Sequence, residues 1–226
     1  MPAPDTKTTI LDAAESLFAE HGFAATSLRE LTARAGANLA AVNYHFGSKD
    51  DLAVAVLTRR IGPVNAERRA RLDALGQRAT VEAIVRAFLE PVLRLANGPA
   101  DRGTAPGGGF CRLFGRLMVE QPPFLRPFVA AQFRDLGHRF AAMLQQALPG
   151  EQPATLWWRL HFLVGAMAHT LQNAATLTHL TGGLCRHDDV EEVIEQLVRF
   201  GVGGFTGAST RPRRRSRPTN RRKVRR

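Results

Sequence analysis

"NLAAVNYHFGSKDDL", residues 38–52, is the stretch whose reading decides the fold. Asn, Tyr and His crowd the end of one short run, which stops at Gly47 and gives way to a second amphipathic run opened by Ser48 and Lys49. Asn38 is a strong N-cap residue for the first run. Ser48-Lys-Asp-Asp51 resembles a capping box with Asp in place of Glu, and starts a long helix. Working backwards, Ser27-Leu-Arg-Glu30 is a capping box with Ser at N-cap and Glu at N3. It opens a helix with Leu28, Leu31 and Ala35 inward, closed by Gly36. Before it, Ile10, Ala13, Ala14, Leu17 and Phe18 follow the i, i+3, i+4, i+7, i+8 spacing of a helix with one apolar face, and His21-Gly22 ends it.

Three short helices with Ala35-Gly36-Ala37 as a tight turn between the second and third make a helix-turn-helix. In that arrangement the helix after the turn enters the major groove of DNA. Val42 and Phe46, four apart, anchor it to the first two helices. Leu39, Ala40, Asn43 and Tyr44 share its remaining surface, and Ala40 and Ala41 keep that surface low. Asn43 can donate to and accept from an adenine edge, while Tyr44 and His45 reach phosphates. Lys49 lies in a helical first turn, where the dipole disfavours a cation and an anionic partner makes sense of it. Arg29 is a plausible base or phosphate reader.

Residues 10–52 resemble the DNA-binding domain of the TetR family of one-component regulators. The helix 1 pattern, "GF-x-x-T", the "AG" turn, "Y-x-F" and "SK-x-x-L" occur in order. The resemblance implies an all-helical homodimer whose N-terminal domain binds double-stranded DNA and whose C-terminal domain dimerises under ligand control. By position it makes Ser27, Arg29, Asn38, Ala40, Asn43, Tyr44, His45 and Lys49 the DNA-facing residues. Asn43 stands where the family usually has an aromatic residue, so this position carries specificity or reads a phosphate. "NLAAVNYHFGSK" and "WWRLHFLVGAMAHTL", residues 157–171, resemble the PsrA-like subgroup that senses long-chain fatty acids or their CoA esters.

The bulk composition agrees with a globular chain. Of 226 residues, 44% are hydrophobic, and no apolar run approaches the roughly 20 needed to span a bilayer. "MPAPDTKTT" has no apolar core of a secretory signal, so a cytoplasmic protein is expected. Cys111 and Cys185 are far apart and read as free thiols. The formal charge of +11 is uneven: "RPRRRSRPTNRRKVRR", residues 211–226, holds 10 of the 31 basic residues and no acid. Without it 21 basic residues face 20 acidic ones, so the body is nearly neutral. The tail reads as solvated and disordered. It either adds sequence-independent attraction to phosphates or merely aids solubility.

Beyond residue 52 almost every segment reads as helix, and Gly62-Pro63 is expected to kink the fourth helix or end its first half. Further helices are expected over Val81–Ala96, Phe110–Glu120, Phe124–Leu148, Ala154–His179 and Val190–Phe205, with a Gly- and Pro-rich loop over 97–109. The expected fold is all-α: a helix-turn-helix domain (1–52), a connecting helix (53–78), a helical ligand-binding and dimerisation domain (79–207) and an Arg-rich tail (208–226). The helix over Trp157–Leu171 is apolar on several sides, so it is buried on several sides. Core, partner subunit and cavity wall compete for those sides. Phe110, Phe114, Leu117, Met118, Trp157, His161, Val164 and Met167 are the candidate ligand-pocket residues, with Phe128 and Phe133 on the facing wall. His161 either meets a ligand head group or bonds a backbone carbonyl. Arg112 and Arg116 either pair with an acid or form a solvated face. Gly107–Gly109 is not a phosphate loop, because no GK[ST] follows.

For the dimer, Val190, Ile194, Leu197 and Gly201 share one stripe of the last helix, while Gly165, Ala168 and Ala175 leave low surfaces on the helix before it. Two such helices from each subunit make a four-helix interface. A twofold dimer sets two recognition helices about 34–36 Å apart or a little more, which implies a palindromic operator. No catalytic constellation, metal-ligand spacing or Gly-rich cofactor loop stands out, so neither an enzyme, a metal nor a cofactor is expected. The expected function is a repressor released from its operator by a small hydrophobic effector. The rival within the class is a drug-efflux regulator sensing aromatic or cationic compounds, and a further rival is a nonspecific nucleic-acid binder driven by the tail.

Overall fold

A computed structural model of the chain describes residues 5–97, 113–117 and 120–207, and every regular element among them is a helix. They are α1 (Thr6–His21), α2 (Leu28–Ala35), α3 (Leu39–Phe46), α4 (Lys49–Leu75), α5 (Val81–Asn97), α6 (Leu125–Ala147), α7 (Pro153–Leu180) and α8 (Val190–Thr206), with a short helical stretch over 113–117. Phe110, Cys111, Arg112, Met118, the 98–109 segment and the tail from 208 onward lie outside the described residues.

The local signals act as the sequence implies. Ser27 Oγ accepts the amide N–H of Glu30 at 3.1 Å, Asn38 Oδ1 that of Ala41 at 2.8 Å, and Ser48 Oγ that of Asp51 at 3.0 Å. Each satisfies one of the amides that a helix start leaves without a partner. Gly36 ends α2 in the left-handed region, at φ 60°, which gives the sharp turn into α3. Thr26 is buried and donates through its hydroxyl to the Gly22 carbonyl at 2.8 Å, which ties down the loop between α1 and α2.

Of the two outcomes expected at Gly62-Pro63, an end to the first half of the fourth helix does not occur: the helix runs from Lys49 to Leu75 with Pro63 inside it. Pro63 is exposed, while Ile61, Val64, Asn65 and Arg68 around it are buried. The Asn65 amide also donates to the Gln132 carbonyl of α6 at 3.0 Å. Packing on the buried side holds the helix together where propensity alone would let it break.

Two apolar clusters form the core. The first joins α1–α4 through Ile10, Leu17, Phe18, Leu31, Val42, Leu52 and Val56, and continues through Val92, Leu113, Leu117, Leu125 and Phe128. The second gathers α5, α6, α7 and α8 around Ile84, Leu89, Phe140, Leu160, Leu163 and Ile194. Arg86 grips Glu195 at 2.6 Å, and Arg94 grips Glu191 at 2.6 Å, which clasps α5 to α8. A Cβ on Gly201 would lie 2.9 Å from both Leu163 and Val85, so the glycine is what lets α8 approach α7 and α5 this closely.

That packing corrects a second expectation. Ile194, Leu197 and Gly201, assigned by spacing to a subunit interface, are buried within their own chain. Val190 is half-buried beside them in the same cluster. Stripe spacing identifies an apolar face but not which partner covers it, and here α5 does. Ala168 lines a cavity instead, and Gly165 and Ala175 are exposed.

Candidate nucleic-acid interface and effector cavity

On α3 the division between hidden and displayed residues is sharp. Val42 is fully buried, and Phe46 and Ala41 pack partly against the first cluster. Leu39, Ala40, Asn43 and Tyr44 are exposed. Tyr44, the one tyrosine of the chain, is 85% exposed, and Leu39 is 51% exposed. An eight-residue helix held by a single fully buried side chain gains nothing in stability from an exposed tyrosine. His45 is half-buried, edge-on to Tyr44 at 5.1 Å between ring centroids.

The other sequence-selected residues lie at the starts of α2, α3 and α4. Ser27 and Asn38 are exposed and use their side-chain oxygens to cap α2 and α3. The Asn38 amide nitrogen retains its two donors. Arg29 is exposed on α2. Lys49 is half-buried and sits differently from a free phosphate reader: its ammonium lies 4.4 Å from the centre of the Phe23 ring. Burial there lowers its pKa, against the pull of Asp50 and Glu120.

Phe23 belongs to a junction that the sequence reading missed. It contacts Phe18 at 5.5 Å and Phe124 edge-on at 5.1 Å. The Ala24 N–H points to Glu120 Oε2 at 3.4 Å, and a Cβ on Gly22, already at φ 91°, would meet Glu120 Oε1 at 2.9 Å. The "GF" of "GF-x-x-T" thus serves as a seat for residues about a hundred positions later. No local signal reveals that.

The second site is a partly open cavity of about 430 Å³ lined by α4, α5, α6, α7 and the 113–117 stretch. Of the pocket residues expected from sequence, Phe114, Trp157, His161, Val164 and Met167 line it. Phe133 does too. Leu117 does not: it is buried in the first core cluster, together with residues of the helix-turn-helix, as is Phe128 at 5% exposure. Phe110 and Met118 lie outside the described residues. The wall is otherwise nearly all apolar, with Ile61, Phe88, Val92, Val129 and Leu136 added.

The residue that sequence reading missed altogether is Arg68 of α4. It lines the cavity, is 1% exposed, and its guanidinium stacks over Phe88 at 4.4 Å. Nε donates to the Phe88 carbonyl at 2.8 Å, Nη1 to Asn65 Oδ1 at 3.2 Å, and Nη2 to the Met167 thioether at 3.8 Å. Burial pushes its pKa down to about 10, so it stays protonated at neutral pH. The signal was there: Ile61, Val64, Arg68 and Leu72 follow one apolar stripe of α4, interrupted by a single charge. Assigning α4 to a connector hid it.

Residues 86–204, just over half the chain, match the model of the tetracyclin repressor-like C-terminal domain, and residues 10–56 match that of the bacterial regulatory proteins of the tetR family. The chain belongs to the tetR family. As a tetR-family member it is 51% identical over 53 residues to the HTH-type transcriptional repressor Rv3405c of Mycobacterium tuberculosis, covering 24% of this chain and 28% of that one. It is 33% identical over 98 residues to the HTH-type transcriptional repressor KstR2 of Rhodococcus jostii, covering 40% and 48%. These matches thus span from about a quarter to about half of each relative. In fold, the chain is similar to a TetR-like regulator from Rhodococcus sp. RHA1, with TM-score 0.61 and 22% identity over 90% of this chain and 99% of that one. It is also similar to the fatty acid degradation regulator FadR from Bacillus halodurans, with TM-score 0.66 and 14% identity over 90% and 98%. Among the described residues no helix is long and apolar enough to cross a membrane.

Proposed function

We propose that the protein is a homodimeric transcriptional repressor that leaves a palindromic operator when a hydrophobic effector fills the cavity. The observation that carries this reading is the display on α3: Leu39, Ala40, Asn43 and Tyr44 face solvent around a buried Val42. Residues 1–52 are the DNA-binding domain, 53–78 the connecting helix and 79–207 the effector and dimer domain. Ser27, Arg29, Asn38, Tyr44, His45 and Lys49 set register on phosphates, while Asn43 reads a base edge over the low surface of Ala40. Two of the relatives above are named repressors, in keeping with that direction of control.

The dimer face lies on the outer side of α7 and α8. Trp158 and Phe162 stack at 5.8 Å and are 60% and 61% exposed, Gly165 follows on the same stripe, and Phe200 on α8 is 63% exposed. So large an apolar display marks an interface. A twofold pairing there builds a four-helix interface and presents two α3 helices to one face of DNA.

The effector reading rests on the cavity. Its volume falls within the roughly 300–1,000 Å³ of small-molecule sites, and its apolar wall with a flexible Met167 suits a long-chain fatty acid or acyl-CoA, as in the PsrA-like subgroup. Helix α4 bears Ile61 and Arg68 in the cavity wall and Leu52 and Val56 in the core beneath α3. Phe114 lines the cavity while its neighbours Leu113 and Leu117 belong to that same core. An effector that fits only one arrangement of these elements changes DNA affinity by its differential binding, typically about 5–150-fold. The aromatic walls from Phe88, Phe114, Phe133 and Trp157 also favour a second reading, a drug-efflux regulator with a planar ligand.

Footprinting the full chain on DNA flanking its own gene tests the reading. The expected result is two protected half-sites related by a dyad, lost on adding oleate or oleoyl-CoA below the micellar concentration. No protected sequence, or occupation of both half-sites by a single subunit, overturns it. Release by a planar cationic dye, with acyl compounds inert, selects the second reading.

A further inference from the structure

The cavity holds one feature that an apolar pocket has no structural need for. Arg68 is a charged guanidinium buried within that wall, and none of its hydrogen bonds goes to an acid. It stacks over the Phe88 ring, and its three acceptors are a carbonyl, an amide oxygen and a thioether. Among the described residues no carboxylate lies within ion-pairing distance of it. The other buried charge among the described residues, Glu15, has two partners: it receives Arg59 at 2.5 Å and Arg60 at 2.8 Å. An unpaired buried cation is costly, and its neighbours here are neutral.

The donor count shows what is missing. A guanidinium has five N–H groups. Three are engaged, one each on Nε, Nη1 and Nη2, and the Nη2 bond goes to a thioether, a weak acceptor. One N–H on each terminal nitrogen is left, the pair that a carboxylate engages with both oxygens.

We propose that Arg68 is the anion-binding anchor of the cavity and that the effector is an amphiphilic monocarboxylate with a free carboxyl group, its apolar chain lying between Phe88, Phe133, Trp157 and Met167. This rests on the effector reading above and narrows it. A CoA thioester would bring a neutral carbonyl to Arg68, or else force a polar nucleotide into the apolar wall. A cationic drug would set like charge against like. In the occupied state the carboxylate sets one oxygen against each of the N–H groups left on Nη1 and Nη2. Because Arg68 is on α4, the new ion pair forms on the helix that leads to the DNA-binding head.

The test compares ligands of one chain length on the full chain without DNA: dodecanoate, dodecanol, dodecyltrimethylammonium and dodecanoyl-CoA, each below its micellar concentration. Tryptophan fluorescence, with Trp157 in the wall, and calorimetry both read the dissociation constant. Wild-type protein is expected to hold the acid about 10- to 100-fold more tightly than the alcohol, the range of a charged hydrogen-bonded pair, and the ammonium least. In Arg68→Met the acid and alcohol are expected to bind alike, while the thermal midpoint of the unliganded protein stays level or rises. Arg68→Lys is expected to keep part of the preference. An acid-to-alcohol ratio that is near one in wild type, or unchanged in Arg68→Met, overturns the anchor while leaving the cavity reading intact, as does tightest binding of the CoA ester or the ammonium. Failure of all four ligands to bind wild type sinks the cavity reading and this inference with it. The wild-type ratio decides the matter even if Arg68→Met does not fold.

Discussion

The DNA-binding head and the helical body behind it each carry a residue that stands against its surroundings, in opposite ways. In the head, α3 displays Tyr44, an aromatic ring at 85% exposure. In the body, α4 hides Arg68, a cation at 1% exposure. Burial of apolar surface favours the reverse in both cases. On the proposed reading, function sits where a side chain opposes its surroundings, with the recognition surface marked by an exposed ring and the ligand anchor by a buried charge.

The head also contains buried charge, which makes the contrast testable. Glu15 is fully buried on α1 but receives Arg59 and Arg60 from α4, and Arg59 also meets Asp12 at 2.6 Å. Removing Glu15 takes away the one buried carboxylate that two cations share where α1 meets α4. Glu15→Ala is expected to destabilise the protein by about 3–5 kcal/mol, the usual loss when one member of a buried pair is deleted. Arg68→Met, by the same reasoning, costs little or nothing. Thermal unfolding of the two variants side by side checks this, and equal losses would erase the distinction between a structural pair and a waiting anchor.

Tyr44→Ala gives the next largest effect and the cleanest separation. The ring contributes little buried area, so stability should stay within about 0.5 kcal/mol of wild type. Operator affinity should fall by about 1–3 kcal/mol, the usual worth of one specific contact. Gel-shift titration on the footprinted site measures it. A stability loss with unchanged binding would place Tyr44 in the fold instead.

The two regions were unequally legible for a physical reason. In the head, Ser27, Asn38 and Ser48 cap helices through residues three positions away, and Gly36 turns the chain within one residue. Such signals are local, so sequence order alone places α3 and says which side chains face out. The helix boundaries of the body were legible too, since periodicity fixes them. What covers each face was not. The stripe through Ile194 and Leu197 looked like a subunit interface and is packed against α5, and Leu117 looked like pocket wall and is packed beneath the head. Trp158 and Phe162 stand on the outer face instead. Spacing gives an apolar face its direction on a helix, but only the tertiary arrangement gives it a neighbour. The Phe23–Phe124 contact and the Arg68 site are both of that second kind.

The smallest effect concerns a residue that plays both parts at once. Asn38 caps α3 through Oδ1, with its amide donors still available to a phosphate. Asn38→Ala removes cap and donors together, so a loss of about 1 kcal/mol in stability and a weaker operator complex arrive in one variant and cannot be told apart. Asn38→Asp separates them. The aspartate oxygen caps as well as the asparagine oxygen, and its charge suits the positive end of α3. Toward DNA it offers acceptors and a negative charge where donors stood, so the complex loses a contact and gains a repulsion. The expected result is an unchanged thermal midpoint with operator affinity lowered about tenfold, a difference of about 1.4 kcal/mol. Equal affinity for wild type and Asn38→Asp would make this residue a cap and nothing more, and would shift the phosphate-facing edge of the head to Ser27 and Arg29 on α2.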